Sequence, residues 1–203
     1  MSTTSDPVDP QVKAFIQKIA SEGIHHAVGG LSDMVGENLT AAEPRISFVP
    51  LLEIPYQVGG PENEVVGIYL RAIGDLPGQF MLIMPYIKAL EMIDMILGEP
   101  RGTTTELEGM GRSALAEVGN LTGAYFLNAL AAATNRTTTL TPPAVMFDMV
   151  GAILNIIVAG ALDIVENVVV IGTNIQQGNR EVQADFWYVP DIQALQAFND
   201  LSQ

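Results

Sequence analysis

Met84-Pro85-Tyr86-Ile87-Lys88-Ala89-Leu90 and Val189-Pro190-Asp191-Ile192-Gln193-Ala194-Leu195 repeat one pattern, an apolar residue and Pro followed by Ile and Ala-Leu at matching offsets. In each copy the proline stands where a β-type run gives way to helical spacing, the place in a helix that tolerates a missing N–H. Upstream of the first copy, residues 64–73 and 79–84 read as two strands joined by the turn Gly74-Asp75-Leu76-Pro77-Gly78. Upstream of the second, residues 167–175 and 181–188 form the same kind of hairpin around Gln177-Gly178-Asn179. A long helical pattern precedes each hairpin, from Gln11 to about Leu39 and from Thr105 to Thr134. Glu22-Gly23-Ile24-His25 in the first parallels Glu117-Val118-Gly119-Asn120 in the second. The shared order predicts an α+β fold, internally duplicated about a pseudo-twofold axis, with an antiparallel sheet packed against two long and several short helices.

The remaining segments fit around this frame. Residues 1–10 read as a loose tail, and residues 11–203 as a single domain whose related halves span about 11–100 and 101–203. Residues 45–56, broken by Pro50 and Pro55, suggest an edge or bent strand. Residues 86–97 predict a short helix stopped by Gly98 and Pro100, and residues 136–146 are β-like around Pro142 and Pro143. Residues 147–165 predict a buried apolar helix, and residues 191–201 a final short one.

Composition narrows the function. Nine Lys and Arg against 23 Asp and Glu give a net charge of −14, with no basic cluster. Such a surface repels phosphate backbones and anionic lipid, so neither nucleic acid nor a membrane surface is an expected partner. The chain has no cysteine, which removes disulfides and thiolate chemistry. Its two histidines, His25 and His26, are neighbours that diverge by about 100° on a helix, so no metal site is expected. The apolar run 149–162 is too short for a transmembrane helix, and residues 1–10 lack the apolar stretch of a secretory signal. A cytoplasmic location is the expectation.

On the second long helix, Leu107, Met110, Ala114, Val118, Leu121 and Tyr125 fall on one arc, widened by Leu115, Thr122 and Phe126, which predicts the face toward the sheet. Ser113, Glu117 and Asn120, at i, i+4 and i+7, form a stripe beside that arc. Ala116, Gly119, Gly123 and Ala124 make up the rest of the outer face, although two mid-helix glycines each cost about 1 kcal/mol relative to alanine. Small residues there allow close packing within the chain, or close approach by a partner into which one carboxylate and one amide project.

The spacing Ser113-x3-Glu117-x2-Asn120-x22-Pro143 resembles the site pattern of the CheC/CheX/FliY family of response-regulator phosphatases, in which the first position is Asp or Ser. The surrounding residues 114–121 and 124–130 are similar to the family's helix, and residues 66–70 and 168–171 to its central strands. The likeness runs from about Ile19 to Leu201 and is nearest in layout to CheC. It implies a phosphatase acting on the phospho-aspartate of a CheY-like receiver domain, in chemotaxis or a related two-component pathway. Asn120 would hold the attacking water, Glu117 would pair with a lysine of the regulator, and Ser113 and Pro143 would support the geometry. No cofactor of its own is implied, since the magnesium ion belongs to the regulator. Two-site relatives repeat the motif on the first long helix; here Lys18 and His25 replace the acidic/Ser and Asn positions, Glu22 is kept, and Pro50 is the candidate strand proline, so this second site reads as degenerate. The alternative that the resemblance implies is a non-catalytic module that binds a regulator, a flagellar-switch component or a CheD-type protein.

Overall fold

A computed structural model describes residues 10–160, 167–191, 193, 194 and 196. Of the loose tail expected over residues 1–10, residues 1–9 lie outside the described residues and Pro10 already opens α1; the far end of the apolar helix beyond 160 and most of the expected last helix also lie outside them. In chain order the elements are α1 (Pro10–Val35), β1 (Thr40–Ala41), β2 (Arg45–Pro50), a single 3-10 turn (Leu51–Glu53), α2 (Ile54–Gln57), β3 (Glu64–Gly74), β4 (Gly78–Pro85), α3 (Tyr86–Ile96), α4 (Gly109–Thr134), β5 (Thr138–Leu140), β6 (Ala144–Met149), α5 (Val150–Gly160), β7 (Asn167–Gln177) and β8 (Arg180–Pro190).

The eight strands form one antiparallel sheet ordered β1-β7-β8-β4-β3-β5, with β2 also on β7 and β6 also on β3. The order is palindromic. Each flank is one broken strand: β1 and β2 run along β7, and β5 and β6 run along β3. The breaks fall at Pro44 and at Pro142-Pro143, where the missing N–H groups interrupt the ladder. The outer strand of each half pairs with the hairpin of the other half, β2 with β7 and β6 with β3.

Both sheet faces are covered. On one, Val66, Ile68, Leu70, Phe80, Leu82, Phe186 and Tyr188 pack with α1, α3 and α4. Phe80 is the hub of this core, stacking on Phe186 and Tyr188 at ring distances of 5.3 and 4.7 Å and meeting the edge of Phe126 at 5.6 Å. On the other face Val65, Met81, Ile83, Val170 and Trp187 pack with α2 and α5. Burial on both faces explains why residues 78–84 of β4, including both Gly78 and Gln79, are all buried.

Two expectations shift. Residues 51–56, read as part of the edge or bent strand, form the 3-10 turn and most of α2 instead, so that strand ends at Pro50. Residues 147–149, read as the start of the apolar helix, continue strand β6 and pair with Glu64, Val65 and Val66; the helix begins at Val150. An apolar run has no period with which to separate strand from helix, and the free flank of β3 decides the matter.

The segment leading into α4 is held by Asp94, a fully buried carboxylate in α3. Its Oδ2 accepts from the Gly102 and Thr103 N–H groups at 2.7 and 3.2 Å, and its Oδ1 from Thr104 N–H at 2.8 Å. Glu91, one turn earlier, receives Lys88 at 2.8 Å and Arg101 at 2.5 Å. Burial alone would raise the Asp94 carboxyl, but the bonds from Thr104, Gly102 and Thr103 outweigh it and hold the group below its ordinary value. An acid with a depressed folded pKa stabilises the fold fully above its unfolded value of about 4, and the contribution is lost as pH falls through the folded value. Asp94→Asn turns an acceptor into a donor facing N–H groups, so urea unfolding at pH 7 should show a loss of about 2–3 kcal/mol. The difference between variant and parent should shrink toward pH 3; a constant difference across that range contradicts the assignment.

Candidate functional site

Helix α4 carries the stripe, and its packing decides what the stripe presents. Its buried residues are Gly111, Leu115, Val118, Gly119, Thr122, Gly123, Phe126, Leu127, Leu130 and Thr134. The buried face is therefore turned from the sequence expectation: Met110 is 73% exposed, while Gly119 and Gly123 point at the sheet. A Cβ on Gly119 would lie 2.4 Å from Ile68 Cγ2, and one on Gly123 would lie 2.9 Å from Leu140 Cδ1. Close packing within the chain accounts for both glycines, and the reading that they admit a partner is overturned. A wheel scored for large apolar residues misses this, because glycine contributes through the approach it permits.

With the glycines facing inward, the adjacent arc faces out. Ser113 and Glu117 are exposed and Asn120 is half-buried. The Ser113 hydroxyl donates back to Gly109 C=O at 3.3 Å. Among the described residues, the Glu117 carboxylate and the Asn120 amide have no hydrogen-bond or ion-pair partner. Pro143 sits in the break between β5 and β6, immediately before the strand that runs beside α4. Helix and strand are tied there by Arg112, whose Nη2 donates to Val145 C=O. Arg112 was not singled out by motif, although it and Glu117 are the only charged residues in α4. At the Ser113 end, a groove of about 550 Å³ opens between Glu106, Leu107, Glu108 and Arg112 on one side and Tyr86, Met146 and Phe147 on the other. The Tyr86 and Phe147 rings meet at 4.4 Å.

The corresponding stripe on α1 is built differently. Lys18 and Glu22 lie 4.0 Å apart as an exposed pair along the helix. His25 donates from Nδ1 to Ser21 C=O at 2.7 Å, and Ser21 donates to Glu43 at 2.9 Å. The polar groups of this stripe bond within the chain. Pro50, the proposed strand proline of this copy, pairs with Asn167 at the far end of β2. Pro44 instead occupies the break before β2, the place that Pro143 holds before β6. Gly23 brings α1 against α4, where a Cβ would lie 2.8 Å from Phe126 Cα.

Known proteins resemble this chain in sequence and in fold. A sequence profile described as the CheC-like family matches residues 110–147, the span that contains Ser113, Glu117, Asn120 and Pro143. The chain is 26% identical over 186 residues to the CheY-P phosphatase CheC of Bacillus subtilis (strain 168), covering 90% of this chain and 89% of that protein. Its fold is similar to FliY of Thermotoga maritima, with a TM-score of 0.77, 18% identity and coverage of 96% and 97% of the two chains. It is also similar to the FliM middle domain from H. pylori, with a TM-score of 0.68, 11% identity and coverage of 96% and 99%. The chain thus resembles CheC along nearly its whole length and has the α+β fold of FliY and the FliM middle domain.

The glycine packing makes a paired prediction. Gly119→Ala forces Ile68 or the helix to move and should destabilise the fold by about 1–3 kcal/mol, despite alanine's better helix propensity. Gly29→Ala, in α1 with nothing within 4 Å of the added carbon, should stabilise by about 0.5–1 kcal/mol. Urea denaturation of the two variants checks both signs.

Proposed function

We propose that this chain hydrolyses the phospho-aspartate of a CheY-like receiver domain, with Asn120 and Glu117 as the working pair. The observation that carries the reading is that these two side chains face outward from one helix with no partner among the described residues, on a surface the sheet holds in place. The likeness to a CheY-P phosphatase over 90% of the chain supports it.

The chemistry suits the residues. A phosphorylated receiver already carries the metal and the groups that stabilise charge on the transferring phosphoryl. What an external protein adds is a water held in line with the departing carboxylate. The Asn120 amide is neutral, so it enters a site crowded with phosphate oxygens without repulsion, and it both accepts from and donates to water. The Glu117 carboxylate pairs with a cation of the receiver and sets the orientation. Ser113 and Pro143 support the helix and its flanking strand. The magnesium ion of the reaction belongs to the receiver, and this chain is assigned no cofactor. We further propose that the halves, about 11–100 and 101–203, derive from one duplicated unit; the palindromic strand order supports this.

A second reading is that the chain is a regulator-binding, flagellar-switch or CheD-binding module without catalysis, favoured by its fold likeness to the FliM middle domain. Decay of a phosphorylated receiver domain distinguishes the two. Asn120→Ala should lower the catalysed rate by about 100-fold or more with little change in affinity, because the amide acts in the transition state. Glu117→Ala should weaken both rate and affinity. Full activity of Asn120→Ala leaves the binding module as the function.

The α1 stripe gives the counterpart. Its polar groups bond within the chain and it lacks the amide, so the Glu22→Ala/His25→Ala double variant should keep most of the turnover in the same assay. A loss matching that of Asn120→Ala, with the fold intact, would make α1 a second active site.

A further inference from the structure

Two of the contacts that hold α4 to the sheet end on the same rung. Ile68 of β3 and Val145 of β6 are Cα partners across the ladder. Gly119 lies against the Ile68 side chain. Seven residues earlier, about two helical turns, Arg112 reaches Val145 C=O with its guanidinium. The stripe runs alongside them: Ser113 follows Arg112, Glu117 precedes Gly119 by two residues, and Asn120 follows Gly119. The two contacts differ in kind. Gly119 sets how near the helix lies, but it has no side chain with which to resist rotation. Arg112 supplies a directional bond to backbone, and a planar, multiply donating guanidinium does this better than an ammonium. The strand it grips begins one residue after Pro143, so the same bond fixes the proline's side of the site.

We propose that Arg112 is a positioning residue: it sets the rotation of α4 about the Gly119 contact and thereby aims the Asn120 amide. This rests on the phosphatase reading given above. Arg112 touches neither water nor phosphoryl group in this role, so its loss affects the chemical step through Asn120 and leaves the docking surface in place. A misplacement of about 1 Å is enough to cost a large factor in rate.

The test compares the full chain with Arg112→Met, which keeps the length and apolar stem, and Arg112→Lys, which keeps one donor and the charge. Single-turnover decay of a phosphorylated receiver domain at varied protein concentration separates maximal rate from affinity, and hydrogen exchange reports on the amides of β6. The expected result is a maximal rate at least about tenfold lower for Arg112→Met, with affinity within about twofold, partial recovery in Arg112→Lys, and faster exchange in β6 for Arg112→Met only. An unchanged maximal rate, or a loss confined to affinity, overturns the proposal; the latter would make Arg112 a contact to the receiver. Unchanged β6 exchange in Arg112→Met also overturns it. If the unmodified chain itself fails to accelerate decay, the phosphatase reading falls, an outcome distinct from an active parent whose Arg112→Met variant keeps its rate.

Discussion

The distance between α4 and the sheet governs the rest of the structure. It is set by glycine: Gly119 against Ile68 and Gly123 against Leu140 and Leu70 let the helix lie closer than any side-chain layer would permit. Each glycine forgoes about 1 kcal/mol of helix propensity, and the packing gained on Ile68 and Leu70 offsets it. Gly23 brings α1 against Phe126 in the same way, and Phe126 in turn meets Phe80, the hub of the aromatic cluster. The close approach directs the small residues inward and leaves the Ser113, Glu117 and Asn120 arc outward. The orientation of the candidate site is thus a product of core packing.

The second organising feature is the exchange of outer strands. With β2 on β7 and β6 on β3, neither half completes its share of the sheet without the other. Pairings such as Glu64 with Met149 and Arg45 with Gly172 join residues far apart in sequence. Such contacts reward loop closure only late, so this fold belongs to the slower, more cooperative class. The buried Asp94, by organising Gly102 to Thr104, directs the chain from α3 into α4 and so from one half into the other.

Much of this was legible in the residues. The proline that ends each hairpin and the order of elements around it pointed to one antiparallel sheet with two long helices, and Ser113, Glu117 and Asn120 do lie along one helix, clear of its most buried face. What failed did so for identifiable reasons. Met110 reads as core on a wheel, yet it lies exposed because the glycines bring a different face to the sheet. Phe147 and Met149 read as helix, yet the vacant flank of β3 recruits them. Pro50 was read as the strand proline of the first copy, whereas the position matched to Pro143 is defined by the ladder break and belongs to Pro44. Each miss involves a non-local partner, which no window along the chain contains. Arg112 escaped notice because its acceptor is a backbone carbonyl, which leaves no trace in residue identity.

The broken outer strands also bear on how this molecule avoids its own kind. The flank of β6 away from β3 would be a template for another chain. Arg112 covers Val145 C=O there, and Asp148 takes up the Met149 N–H at 2.8 Å. Prolines bound the strand at one end and a helix at the other. A surface rich in apolar side chains, with Phe147 and Met149 exposed, is thereby denied the continuous row of free backbone groups on which fibrils grow. The side chain that aims the helix in our proposal also acts as a guard against edge-to-edge aggregation.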